Sequence, residues 1–265
     1  MQFVKTRVRA ISAYLGELAN HGMPRQVGNP EHEVLFILDG VGGMQFMPLL
    51  ARRALREEGI ALATVFDHWQ FGLPGEIWTD LMWHRRNRVM GAKLARLILK
   101  YRRQFPKSHM HLLGCSGGAG VAVFALESLR RHVRIDTLIL ACPGLSPTYN
   151  LAPALQVVQR CYALVSHRDN VILGMGTRIF GTTDRRYVAA AGCAGFTIPA
   201  GLDVIDRAAY DRLQEVHWTP DLAALGHYGG HTGWAANAFL RKHLMPLVRG
   251  ESPLPVRRPR ELDES

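Results

Sequence analysis

Apolar positions in this chain fall into short runs separated by longer stretches of helical period, the pattern of a parallel sheet covered by helices. The runs at 34–38, 60–66, 110–114, 135–141, 161–166 and 214–218 read as strands. Helical periodicity marks 89–101, 117–131 and 234–248. Near the start, Val4, Val8, Ile11, Leu15 and Leu18 recur at spacings of four and three, which places them on one face of a helix. Its other face carries Lys5, Arg7 and Arg9, so weak peripheral contact with a membrane stays open, although a core-packing stripe is the commoner cause of such a pattern. The stretch 170–213 is too long for a plain connection and should carry its own helix or a small lid. After 248 the chain turns polar and proline-rich, and 249–265 is expected to be a disordered tail. The expected organisation is therefore α/β: one domain over 1–248, a mostly parallel central sheet with helices on both faces, and no large cap. Only the stretch 142–160 separates the strands that flank the commonest cap position, too short for a large insertion.

Composition narrows the partners. A chain of 265 residues with 48% hydrophobic content can bury a large core. No window approaches the ~18 apolar residues of a transmembrane segment, and the basic N-terminus lacks the apolar region and cleavage site of a secretory signal, so a cytoplasmic protein is expected. The net charge of +10 raises nucleic acid as a partner. The basic residues are scattered and no reader motif accompanies them, so solvated helix faces account for most of them and no specific nucleic-acid binding is expected. Four cysteines, Cys115, Cys142, Cys161 and Cys193, show no CxxC spacing, and no HExxH is present, so no metal is implied.

The chemistry concentrates at Gly114-Cys115-Ser116-Gly117-Gly118, a G-x-S-x-G run between a predicted strand and a predicted helix. A serine on so sharp a turn needs neighbours without bulk, which Gly114 and Gly118 supply. The helix start aims its dipole at the serine, and the Gly117 amide can donate to an oxyanion. A glycine-rich turn without chemistry is the competing reading. A P-loop fails for want of a lysine after Gly120, and a dinucleotide fingerprint fails because serine stands at its middle glycine. The strand ending at Leu38 runs into Asp39-Gly40-Val41-Gly42-Gly43, where Val41, with Gly42 beside it, is the candidate second oxyanion donor.

A serine hydroxyl becomes nucleophilic when an imidazole takes its proton and a carboxylate orients that imidazole. Asp169, in the loop after the 161–166 strand, is the best acid, although a loop aspartate is more often a turn former. Gly226-His227-Tyr228-Gly229-Gly230-His231-Thr232 lies between the last strand and the last helix and offers two candidate bases. His231 is preferred to His227, because it stands nearest the helix start, where Thr232 can cap, and because Gly229 and Gly230 let the loop reach back over the serine. His217 reads as structural.

The order of G-x-G-G loop, Gly-Cys-Ser-Gly-Gly turn, post-strand aspartate and late histidine resembles the α/β-hydrolase superfamily over nearly the whole chain. The resemblance implies the fold and the roles of a Ser116, His231 and Asp169 triad but fixes no substrate, since members include esterases, lipases, thioesterases and peptidases. With the Val41 and Gly117 amides as oxyanion hole, the leading expectation is hydrolysis of a small-molecule carboxylic ester or thioester without a cofactor. Many members have His-Gly at the oxyanion loop where this chain has Asp39-Gly40. His68 and Trp69 after the second strand, with Gly42, Cys115 and His227, are the candidate pocket residues, and Trp69, Phe71 and Trp78 read either as an apolar wall or as a satellite cluster under the loop. A catalytically silent binding or scaffold protein of the same fold is the alternative reading.

Overall fold

The computed structural model describes residues 25–42, 45–70, 80, 83–129, 133–252 and 254–262. The predicted N-terminal helix, Phe71 and Trp78 lie outside them. Ten strands are present among the described residues: β1 (Gln26–Val27), β2 (Glu33–Leu38), β3 (Ala63–Phe66), β4 (His109–Cys115), β5 (Ile135–Ala141), β6 (Val158–Val165), β7 (Thr197–Ile198), β8 (Leu213–His217), β9 (Val256–Arg257) and β10 (Arg260–Glu261). Eight of them form one sheet in the order β1-β3-β2-β4-β5-β6-β8-β9, while β7 and β10 pair separately. The six inner strands are parallel, and the edge strands β1 and β9 are antiparallel.

Alternation along the strands divides the core in two, because successive side chains point to opposite faces. From β2, Val34, Phe36 and Leu38 pack with Leu94 and Ile98 of α2 (His84–Gln104) and with α3 (Gly117–Glu127), while Leu35 and Ile37 pack with Met47 and Leu50 of α1 (Phe46–Glu57) and Phe239 and Leu244 of α4 (Asn237–Arg249). Helices thus cover both faces, the architecture the sequence predicts. Among the described residues no helix is long and apolar enough to cross a membrane.

Three expectations are corrected. The stretch 60–66 yields only a four-residue strand, with a turn and loop before it. The last helix begins at Asn237, behind a single 3-10 turn at Gly233–Ala235. The tail expected to be disordered is ordered at 254–262: Val256 and Arg257 pair with Val216 and Glu215, and Arg260 and Glu261 with Thr197 and Ile198. Main-chain pairing needs no apolar side chains, and here it closes the open edge of β8, so a hydropathy argument does not see it.

The topology also fixes where a site belongs. From β2 the chain steps outward to β3, then crosses back so that β4 and its successors extend the sheet the other way. Ligands in open α/β sheets bind at the carboxyl ends of the strands at this reversal, here between β2 and β4.

Candidate active site

At the carboxyl end of β4 the chain turns through Ser116, whose φ of 52° and ψ of −120° lie where side chains seldom go. Such a conformation costs about 1–3 kcal/mol and persists only where the surroundings impose it. They do so here through three bonds: the Ser116 amide donates to Ala141 O at 2.9 Å, and its carbonyl accepts from the Ala119 and Gly144 amides, both at 3.1 Å. The close approach of strand and helix explains the glycines. A Cβ on Gly114 would lie 2.7 Å from Ala119 Cα, and one on Gly118 only 2.3 Å from Asp39 O.

The side chains predicted as acid and base converge on this serine. His231 Nε2 lies 3.1 Å from Ser116 Oγ, and His231 Nδ1 lies 2.6 Å from Asp169 Oδ2. In the neutral imidazole with its proton on Nδ1, that nitrogen donates to the carboxylate while Nε2 accepts from the hydroxyl. Ser116 and Asp169 are buried, and His231 is partly so. Asp169 is held by its own backbone, its amide donating to Ser166 O at 3.0 Å and its carbonyl accepting from the Gly174 amide at 3.0 Å. Burial acts against protonation of His231, but the Cys142 sulfur and the Asp169 and Asp39 carboxylates outweigh it and raise its pKa to about 9.

His227 goes elsewhere. Its ring is fully buried against Trp234, 4.2 Å between centroids, and Nδ1 accepts from the Gly229 amide at 3.1 Å. Burial lowers its pKa to about 3, so it stays neutral. His227 is a core residue shaping the loop that carries His231. Thr232 makes no side-chain capping bond, so the capping argument for His231 is corrected. What brings His231 inward is the loop: Gly229 adopts φ 89°, and its carbonyl accepts from Ser166 Oγ at 2.6 Å. His217, at the end of β8, pairs with Glu215 at 2.8 Å.

The loop after β2 lies against Ser116, with Gly40 so close that a Cβ there would come within 3.3 Å of Ser116 Cβ. Val41 Cγ1 would be 2.8 Å from a Cβ on Gly117. Neither the Val41 nor the Gly117 amide finds an acceptor among the described residues, and Gly117 opens α3, where amides have no intrahelical partner. The Gly42 amide, by contrast, is engaged, donating to Asp80 Oδ2 at 3.0 Å. Asp39, directly after β2, does structural work, accepting from the Phe46 and Met47 amides at the start of α1. Its burial raises its pKa against the pull of those amides.

Of the other candidate pocket residues, Trp69 is fully buried behind the turn, where it donates from Nε1 to Asp39 O at 2.8 Å, so it supports the loop from behind. His68 is exposed and packs edge-on against Phe66. Cys115 sits with its sulfur 3.7 Å from that of Cys142. Sequence reasoning missed the anchors of the β2 loop. Asp80 holds the Gly42 amide and pairs with Arg86 at 3.2 Å, Arg86 donates to Trp69 O, and Gln70 donates to Gly40 O at 2.6 Å. No spacing signals a carboxylate that arrives from a separate segment 38 residues away. A cleft of about 720 Å³ bordered by Arg160, Arg212 and Gly250 lies at the amino ends of β6 and β8 and holds none of these groups.

No family model and no curated protein matches the chain. Solved structures do. A predicted CIB-like hydrolase from Thermoplasma acidophilum aligns over 85% of this chain and 91% of its own, with 12% identity and a TM-score of 0.41. A lipase-esterase related protein from Clostridium acetobutylicum ATCC 824 aligns over 80% and 93%, with 9% identity and a TM-score of 0.38. An uncharacterized protein from Bacillus cereus ATCC 10987 aligns over 56% and 48%, with 14% identity and a TM-score of 0.38, so the chain spans about half of that protein. None of the three assigns a role to a residue of this chain.

Proposed function

We propose that the protein is a serine hydrolase that cleaves a carboxylic ester or thioester through an acyl-enzyme. The observation that carries this reading is the unbroken chain from Ser116 Oγ through His231 to Asp169, built on a serine held at positive φ. Ser116 Oγ attacks the acyl carbon while His231 Nε2 takes its proton. The tetrahedral oxyanion lies against the Val41 and Gly117 amides, where one such donor is worth about 10²–10³ in rate. The carbonyl re-forms as the alkoxide or thiolate leaves with the proton from His231. Water then repeats the sequence against the acyl-serine and frees the acid. Asp169 keeps the proton on Nδ1 and stabilises the imidazolium without itself being protonated. Because the base must be neutral to accept a proton, its raised pKa makes this an alkaline catalyst.

Ser116→Ala removes the nucleophile while keeping the turn. Hydrolysis of p-nitrophenyl acetate and of an acetyl thioester is expected to fall by about 10³-fold or more, with melting temperature retained. Undiminished turnover would remove the nucleophile assignment and leave the scaffold reading.

A further inference from the structure

The segment that follows the acid carries an apolar face where solvent should meet polar side chains. A π-helical turn at Asn170–Gly176 continues into a helical turn at Thr177–Phe180, pinned from within by buried Leu173 and Thr177. Thr177 Oγ1 lies 2.6 Å from Leu173 O and 2.8 Å from Val188 O, either of which can accept its one hydroxyl proton, and the Ala190 amide donates to Leu173 O, so the segment is fixed in place. Its outer side presents Val171, Ile172, Met175 and Ile179, with Val171 78% and Met175 60% exposed, and Tyr187 and Val188 on the returning chain are exposed too. Single exposed apolar residues need no explanation, but a fixed row of them marks a contact surface.

The charges around this row choose the partner. Arg178 and Arg186 are exposed within the same stretch, and exposed Arg168, stacked over the Trp218 ring, stands just before it. Its two carboxylates are turned inward, Asp169 to His231 and Asp184 to Ser146 and Thr182. Within residues 168–188 these exposed side chains are therefore apolar or cationic and neither carboxylate faces outward, on a chain of net charge +10. We propose that residues 171–188 dock on an anionic lipid bilayer, with Val171, Ile172, Met175 and Ile179 entering the acyl boundary and the arginines meeting lipid phosphate. Apolar insertion and attraction to anionic lipid together make such peripheral binding, and either alone gives only a marginal contact. The surface begins two residues beyond Asp169, whose carboxylate is linked through His231 to Ser116, so docking would hold the side of the chain that carries this group of residues toward the bilayer. Docking itself does not depend on turnover, so its test is independent of the hydrolase reading.

The test is cosedimentation of the full chain with vesicles of phosphatidylcholine alone or mixed with phosphatidylglycerol. Binding is expected only with phosphatidylglycerol, and it should weaken as salt rises from about 0.1 M to about 1 M and the Debye length shrinks from about 10 Å to about 3 Å. The variant Val171→Ser/Ile172→Ser/Met175→Ser/Ile179→Ser should partition at least about tenfold more weakly, and Arg178→Glu/Arg186→Glu should lose both affinity and salt dependence. Met175→Trp supplies a reading that needs no multiple variant: emission should shift to the blue on binding and be quenched by brominated lipid beyond the wild-type level. Failure of the wild-type chain to bind phosphatidylglycerol vesicles overturns the proposal. So does wild-type binding by the serine variant, which would move the contact to the basic N-terminal stretch. An unmoved emission spectrum from the bound Met175→Trp variant also overturns it. If the serine variant instead turns a dimer into a monomer while vesicles bind neither form, the face is an interface between copies.

Discussion

Gly118→Ala tests whether the contact between the nucleophile turn and the β2 loop matters to catalysis. The added methyl would stand 2.3 Å from Asp39 O and 3.1 Å from Asp39 C, so loop and helix must part by about 1 Å to reach ordinary carbon–oxygen contact. Neither side yields freely. Asp39 O is bonded to the Trp69 indole and the Asp39 carboxylate is tied to α1, while Ser116 is held to β5 through Ala141. Overpacking of this kind costs about 1–3 kcal/mol, or roughly 2–10 °C of melting temperature for a chain this long. The rate should suffer more, since displacing a catalytic donor by about 1 Å costs on the order of 10²-fold. The expected result is a folded protein with kcat for p-nitrophenyl acetate lowered about a hundredfold and KM little changed. Gly230→Ala is the control: it stands next to His231, but its Cβ would meet nothing within 4 Å, and its turnover should match wild type. Turnover of Gly118→Ala within about twofold of wild type would refute the claim that this contact sets the oxyanion geometry.

Asp80→Asn keeps the shape but weakens the hold on the Gly42 amide and on Arg86. Steady-state kinetics should show kcat reduced about tenfold or more with KM little altered, the mark of a positioning residue; equal kcat would sever Asp80 from the oxyanion loop. His227→Ala should lower melting temperature by several degrees, because it opens a hole against Trp234 and Phe239, while labelling of Ser116 in the folded protein persists; loss of labelling without loss of stability would make His227 the base. His227 also sets a sign for acid stability. The unfolded chain takes up its proton below about pH 6.5, whereas the folded one resists until about pH 3, so stability falls through that window and His227→Phe should flatten the fall in a melting series. For His231, whose pKa is raised to about 9, kcat/KM should climb with pH through that value; a profile already flat above pH 7 would show an unraised base.

How much of this was legible beforehand follows from the kind of interaction. Strand, turn and helix around Ser116 are local, written in apolar alternation and in glycines whose missing Cβ atoms the close packing requires. Asp169 and His231 were readable because each follows a strand at the sheet's carboxyl edge, which topology gathers into one place. His227 and His231 look alike in sequence, and burial against Trp234 separates them only in three dimensions. Asp80, Arg86 and Gln70 act through bonds to the main chain of a distant loop, which impose no pattern on the residues between. The β8–β9 pairing escaped for the same reason, since backbone hydrogen bonds are indifferent to the polar side chains of the tail.

The central claim is that His231 and Asp169 activate Ser116, and a fluorophosphonate probe reads that activation directly. The account predicts one phosphonate per chain, mapped by peptide mass spectrometry to Ser116. Labelling should be lost in Ser116→Ala and strongly slowed in His231→Ala. It should be faster as pH rises toward about 9. A wild-type chain that stays unlabelled, or an adduct mapped to any residue other than Ser116, would contradict it.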